Sequence, residues 1–199
     1  MKVIGLTGSI AMGKSTVADF FKKENIPVFS ADEIVHQLYD SEAIASLIEH
    51  HFSGVVENGK VNRLKLSKML INEDEKLKTL EKIIHPLVQK KEEEFINTAH
   101  KQGKKLVVLE IPLLFETNSE KRVDSVVVVS APLKIQKERA MIRPEMSENK
   151  FLFINAKQMS DKKKREYADF VIDTAKGLES TYQQVLHVIK SLLSNENNA

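Results

Sequence analysis

Eight residues near the N-terminus have the types and spacing for phosphate chemistry. Gly8-Ser9-Ile10-Ala11-Met12-Gly13-Lys14-Ser15 reads G-x-x-x-x-G-K-S, a phosphate-binding loop. Gly8 and Gly13 let the backbone turn tightly and come close to phosphate oxygens. The N–H groups of the loop, with the positive end of the following helix, then face the anion. Lys14 can reach the β- and γ-phosphates, and Ser15 can hold magnesium. With average composition such a match arises by chance on the order of once in a hundred chains of this length. The flanks lower that further: Val3-Ile4-Gly5-Leu6-Thr7 is a short apolar strand, and Val17, Phe20 and Phe21 form one face of a helix. The chain is therefore expected to bind a nucleoside triphosphate.

Other side chains are candidates for what is done with it. Asp32, just past a second short strand, suits a base or orienting carboxylate for an acceptor hydroxyl; it equally suits the cap of the next helix. Glu110 ends an apolar run, where a carboxylate serves as a water-mediated magnesium partner or a partner of Lys14. Arg139 and Arg143 are four apart near the end of one helix, so they are expected to share a face. They fit a clamp on a moving phosphate or a solvated basic face. Lys162-Lys163-Lys164-Arg165 reads as a solvated helix surface. His85 precedes a proline, which points to a structural role, and Arg63 is either exposed or substrate-facing.

The elements that must position these groups alternate. A helix over about Lys14 to Glu24 is followed by strand Val28-Phe29 and a helix opened by Ser30-Ala31-Asp32. From Ser41 to Gln102 the pattern is helical and strand-poor, with turns at Gly54 and Asn58-Gly59; His85-Pro86 is expected to interrupt it and start a long helix to about His100. Strands return at 105–111 and 123–129, the second apolar enough to be buried on both faces. Ser130 and Pro132 open a helix that Pro144 closes; Ser147 to Tyr167 reads as polar helix, 169–173 as a last strand, and 178–193 as an amphipathic helix before a fraying tail, Ser194 to Ala199. Alternation of this kind gives a parallel sheet covered by helices, with ligands at the carboxyl ends of its strands. The glycine loop, Asp32, Glu110 and Pro112 are all expected at that edge.

Bulk composition excludes several classes. The 199 residues allow one sizeable domain, and 42% hydrophobic with 29% charged residues is ordinary for a globular chain. A formal net charge of +2 with interspersed signs argues against nucleic acid or a membrane surface as partner. No cysteine is present, which removes disulfides, zinc thiolates and thiol catalysis. No apolar run approaches ~18 residues, and the first strand is too short for a signal peptide, so a cytoplasmic location is expected. The N-K-x-D and D-x-x-G motifs of guanine-nucleotide switches are missing, as is a transporter-type signature. A small-molecule kinase fits best.

Taken together, the motifs resemble the dephospho-coenzyme A kinase family from Val3 to about Thr174. Gly5 to Thr16 matches the family's G-L-T-G-x-I-x-x-G-K-S-T, and Ser30-Ala31-Asp32 its D-A-D, with serine for the first aspartate. Asn62-Arg63 matches N-R, and Ile83 to Val88 matches I-x-H-P-x-V. Pro112 to Glu116 keeps P-L-L-F-E. Lid arginines fall on Arg139 and Arg143, and a later glutamine on Gln158. Ala168 to Thr174 matches A-D-x-V-I-D-N, with threonine for asparagine; Ile154 stands where an arginine is frequent. The resemblance implies an α/β fold, a parallel sheet of P-loop nucleoside triphosphate hydrolase type flanked by helices, in a single domain over 1–199. Within it, 41–102 would be a helical coenzyme A-binding insertion and about 136–167 a helical lid. It implies transfer of the ATP γ-phosphate to the ribose 3′-hydroxyl of dephospho-coenzyme A. ATP would lie on Gly8, Ala11, Met12, Gly13, Lys14, Ser15 and Thr16, with Mg2+ on Ser15. Dephospho-coenzyme A would lie on Asp32, Arg63 and His85, and Asp32, Lys14, Arg139 and Arg143 would be catalytic. A monomer or weak homo-oligomer is expected. Two alternatives stay open: a kinase for another small alcohol, nucleoside or nucleotide, and a nucleotide-dependent regulatory protein with little turnover.

Overall fold

The structure, a computed structural model, describes residues 1–71, 73–144 and 146–194. Of the tail expected to fray, Ser194 to Ala199, Ser194 is instead the last residue of a helix, and 195–199 lie outside the described residues. The chain divides into two compact units, one of Met1–Phe29 with the chain from Ile96 onward, the other of Ser30–Phe95.

The first unit is built on a sheet. Its strands are β1 (Lys2–Thr7), β2 (Val28–Ser30), β5 (Leu106–Glu110), β6 (Ser125–Ser130) and β7 (Phe170–Asp173), in the order β2-β5-β1-β6-β7. β1 runs parallel to both β5 and β6, and β6 parallel to β7. β1, β5 and β6 are apolar on both faces because both are covered, as parallel sheets require. Alternate residues Ile4, Leu6, Val108, Val127, Val129 and Ile172 form one core with Val17 and Phe21 of α1 (Lys14–Lys23) and Val185 and Leu192 of α9 (Leu178–Ser194). Phe21 is fully buried, worth about 2–3 kcal/mol of transfer free energy.

The second unit holds α2 (Ala31–Tyr39), α3 (Glu42–His51), a hairpin of β3 (Val56–Glu57) and β4 (Lys60–Val61), α4 (Arg63–Leu70) and most of α5 (Asp74–Lys101). It begins at Ser30, and so takes in α2 ahead of the predicted 41–102 block. Its core is Ile48, Phe52, Val55, Val61, Leu66, Leu80 and Ile84. Asn58-Gly59 turns the hairpin with positive φ at both residues, 51° and 75°. Asn62 caps α4, accepting from the N–H groups of Leu64 and Lys65 at 3.1 Å each.

Three expectations about elements are corrected. Pro86 lies inside α5, which runs unbroken from Asp74 to Lys101. An interior proline costs a helix about 3 kcal/mol, and the buried Leu80 and Ile84, within the two turns before it, offset that by packing. Ser147 to Tyr167 is two helices, α7 (Glu148–Lys157) and α8 (Asp161–Glu166), each with a serine cap: Ser147 accepts from Lys150 N–H and Ser160 from Lys163 N–H. Asp32 is not a cap either; Ser30 holds the cap position, and Asp32 lies in the first turn of α2.

Candidate active site

Thr7 ends β1, and the loop that follows needs its first glycine for space. A Cβ on Gly8 would lie 2.6 Å from the Val129 carbonyl oxygen, a backbone atom that cannot give way. At the loop's far end Gly13 takes the N-cap of α1 with φ 94°, a conformation that L side chains rarely adopt. Between them, Met12 is an anchor. Its side chain is buried in the sheet core, its sulfur accepts from Ala131 N–H at 3.1 Å, and its carbonyl accepts from the Thr174 hydroxyl at 2.8 Å. Ile10 is held on both sides. Its N–H donates to Gln158 Oε1 at 3.0 Å, and its carbonyl accepts from Gln136 Nε2 at 2.9 Å. The first turn of α1 leaves N–H groups with no intrahelical partner, at the positive end of the helix dipole.

Lys14 opens α1, and its Nζ lies 2.7 Å from Glu110 Oε1 at the end of β5. Of the two roles open to Glu110, the structure has it partnering Lys14. Ser15 is exposed and Thr16 half-buried beside it. An exposed hydroxyl in the first helical turn fits a magnesium ion, which binds through few protein oxygens and the nucleotide's own phosphates.

Arg139 belongs to α6 (Leu133–Met141) and is half-buried. Its guanidinium donates from Nη1 to Thr174 Oγ1 and from Nη2 to Thr174 O, both at 2.8 Å. Thr174, where the resemblance expects asparagine, thus bonds Arg139 and the loop at once. Arg143 does not share a helical face with it: α6 ends at Met141, and Arg143 is exposed beyond the Ile142 C-cap. The residue before a proline is disfavoured in helical geometry, and Pro144 imposes that on Arg143. The segment around α6 and α7 packs on the loop, with Ala140 and Phe151 in one buried cluster with Ala11.

The remaining predicted residues lie in the second unit. Asp32 is exposed on α2, Arg63 is the exposed first residue of α4, and His85 is exposed on α5. Burial pushes the Tyr39 phenol up, and the Arg63 charge pulls it partly back.

Two features escaped the sequence reading. Gln136, buried against Ile10, carried a signal in being polar four residues before Ala140 on a buried stripe. Lys164 contradicts the solvated surface expected of Lys162 to Arg165. It has no solvent exposure, lies 3.0 Å from Glu116 Oε1 and donates to Pro112 O at 3.3 Å. Nothing in a run of four basic residues marks which one turns inward.

A parallel sheet with β1 at its centre, a phosphate loop leading into α1, and a lysine paired to the acid at the end of the next strand define a P-loop kinase. The family model for dephospho-CoA kinase matches residues 2–180. The chain is 73% identical over 195 residues to the dephospho-CoA kinase of Bartonella quintana, covering 98% of this chain and all of that one. Among solved structures, a Thermus thermophilus protein superimposes with a TM-score of 0.84 at 30% identity, covering 96% of each chain. The dephospho-CoA kinase of Campylobacter jejuni does so at 0.73 and 27%, covering 98% of each. This chain belongs to the dephospho-CoA kinase family.

Proposed function

We propose that this enzyme transfers the γ-phosphate of ATP to the ribose 3′-hydroxyl of dephospho-coenzyme A, giving coenzyme A and ADP, the last step of coenzyme A synthesis. The observation that carries this reading is the intact loop, with Lys14 paired to Glu110, in a chain matched by the family over nearly its whole length. Lys14 exchanges Glu110 for the β- and γ-phosphates, and the loop and first-turn N–H groups of α1 take the phosphate oxygens. Gly8, Ala11, Met12, Gly13 and Thr16 shape that cradle. Ser15 would hold Mg2+, which offsets phosphate charge when bound. Asp32 orients the 3′-hydroxyl and takes its proton as the ribose oxygen bonds to the γ-phosphorus and the bond to ADP breaks. Arg139 and Arg143 add positive charge for the moving phosphoryl group. Arg63 and His85 bind the coenzyme, and the 41–102 block supplies its site. Residues 136–167 act as a lid that keeps water from the γ-phosphate.

The substrate also suggests where the enzyme works. Among the described residues no helix is long and apolar enough to cross a membrane. We assign that ATP-consuming step of cofactor synthesis to the cytoplasm, and the enzyme is expected to be a monomer or weak homo-oligomer without a nucleic-acid partner.

The test is ADP release with magnesium and ATP, comparing dephospho-coenzyme A, adenosine, AMP and no acceptor. Turnover with dephospho-coenzyme A alone, with a product that co-elutes with coenzyme A, is expected. Turnover on adenosine or AMP instead moves the assignment to another acceptor, and ATP binding without any turnover moves it to a regulatory role.

A further inference from the structure

The buried Lys164 bears on the phosphate loop. An ammonium group out of water is costly unless its charge and donors are met, and a buried ion pair is in itself a poor source of stability. Here both partners lead to the loop. Pro112 O, which accepts from Lys164 at 3.3 Å, also accepts from the Thr7 hydroxyl at 3.1 Å, and Thr7 directly precedes Gly8. Glu116 Oε1, 3.0 Å from Lys164, also accepts from Met159 N–H at 2.7 Å. The neighbour of Met159 is Gln158, whose Oε1 takes the Ile10 N–H at 3.0 Å. Thr7, Pro112, Lys164, Glu116, Met159-Gln158 and Ile10 therefore form a closed ring of bonds, completed by the chain from Thr7 to Ile10. α8, which carries Lys164, is tied down a second time where Asp161 Oδ2 accepts from the Ser130 hydroxyl at 2.8 Å.

We propose that Lys164 is a positioning residue for phosphoryl transfer. From behind, it fixes the Thr7–Ile10 half of the loop in the shape that meets the nucleotide. The inference rests on the proposed activity for its rate effects and on nucleotide binding alone for the rest. A buried lysine that serves only as a cross-link would change stability and nothing else once the charges are balanced.

The experiment uses that difference. Lys164→Met strands the Glu116 carboxylate, so it is expected to lower the melting temperature. Lys164→Met with Glu116→Gln removes both charges and recovers most of it, yet methionine cannot donate to Pro112. Thr7→Val opens the same ring from the other side without touching any charge. All are compared with the wild type below their melting transitions, by calorimetric ATP affinity, steady-state kinetics and hydrogen exchange at the Ile10 amide. For the double variant and Thr7→Val alike, we expect ATP affinity weaker by about tenfold and kcat lower by about 10–100-fold, as for a loop displaced by a fraction of an ångström. KM for dephospho-coenzyme A should stay near the wild-type value, and Ile10 exchange should quicken. Wild-type ATP affinity and kcat in either variant overturns the proposal. Failure of the acceptor assignment is distinguishable: the wild type itself would then leave dephospho-coenzyme A unphosphorylated, while affinity and exchange still report on the ring.

Discussion

Replacing Lys14 with alanine separates what this side chain does for the fold from what it does for the reaction. Its Nζ is 2.7 Å from Glu110 Oε1, and the two side chains are only 13% and 9% exposed. At an effective dielectric constant of about 20 the gross attraction is about 6 kcal/mol, most of which desolvation cancels. Lys14→Ala leaves Glu110 buried and unpaired, a loss of about 3 kcal/mol for so well covered a pair. In a chain of this length that lowers the melting temperature by roughly 6–12 °C. The reaction loses separately. A preorganised cation at the β/γ-phosphates is worth about 3–4 kcal/mol, so kcat should fall by about 10²–10³. Lys14→Ala with Glu110→Gln no longer strands a carboxylate, so it should recover most of the melting temperature and none of that rate. Thermal melts and ADP release, measured below both transitions, read the two effects. A double variant that regains its rate along with its stability refutes the reasoning, as does a folded single variant with near-wild-type kcat.

Asp32→Asn should lower kcat by about 10²–10⁴ and leave ATP affinity unchanged; an equal loss of both in kinetics and calorimetry would demote Asp32 to a structural part of α2. Arg139 and Arg143 should separate. Arg139→Ala breaks two bonds to Thr174 and should lower stability by about 1–3 kcal/mol, whereas the exposed Arg143→Ala should lower kcat with no change in melting. The reverse order in thermal melts would exchange their roles. Glu49 gives a pH signature in the second unit. Its carboxylate accepts N–H bonds from Gly54, Val55 and Val56, and these, Gly54 first, hold its pKa below the usual carboxylate value. The unfolded chain therefore takes up the proton at higher pH than the folded one. The stabilisation is complete above the ordinary carboxylate range and is lost as pH falls through that range and below. Glu49→Gln should melt lower than the wild type at neutral pH, and the gap should close on acidification. A gap constant with pH would contradict this.

What the sequence displays depends on whether the cause is local. The loop is legible because Gly8, Gly13, Lys14 and Ser15 each answer a requirement within a few residues. β5 and β6 are legible because burial on both faces leaves an unbroken apolar run. The end of α6 is also written locally: Pro144 closes the helix, and the restriction it puts on Arg143 already disfavours that residue within it. Pro86 shows the opposite limit. The rule that proline stops a helix is sound locally, but Leu80 and Ile84 pack into a core assembled from α3, β4 and α4, and that packing is invisible in the window around residue 86. Lys164 lies further out of reach, since its partner Glu116 is 48 positions earlier.

The distant partners matter most at the loop itself, because a phosphate loop cannot hold its own shape. Met12 N–H closes one turn within it, on Ser9 O at 3.2 Å, but N–H groups that face the ligand are not available for bonds inside the loop. Some of the fixing bonds must then come from groups outside the loop. Here they come from one stretch of chain: Gln136 and Gln158 hold Ile10, Ala131 and Thr174 hold Met12, and Arg139 braces Thr174. That stretch contains the predicted lid. Any displacement of that stretch and the shape of the cradle are therefore not independent: α6, α7 and the turn after β7 bond to the backbone of two loop residues, Ile10 and Met12. Threonine at 174 fits this arrangement physically, since one short hydroxyl donates to Met12 while accepting from Arg139. The departures from the family pattern at Ser30, Ile154 and Thr174 are thus no sign of a disabled loop: the one that touches it helps to hold it.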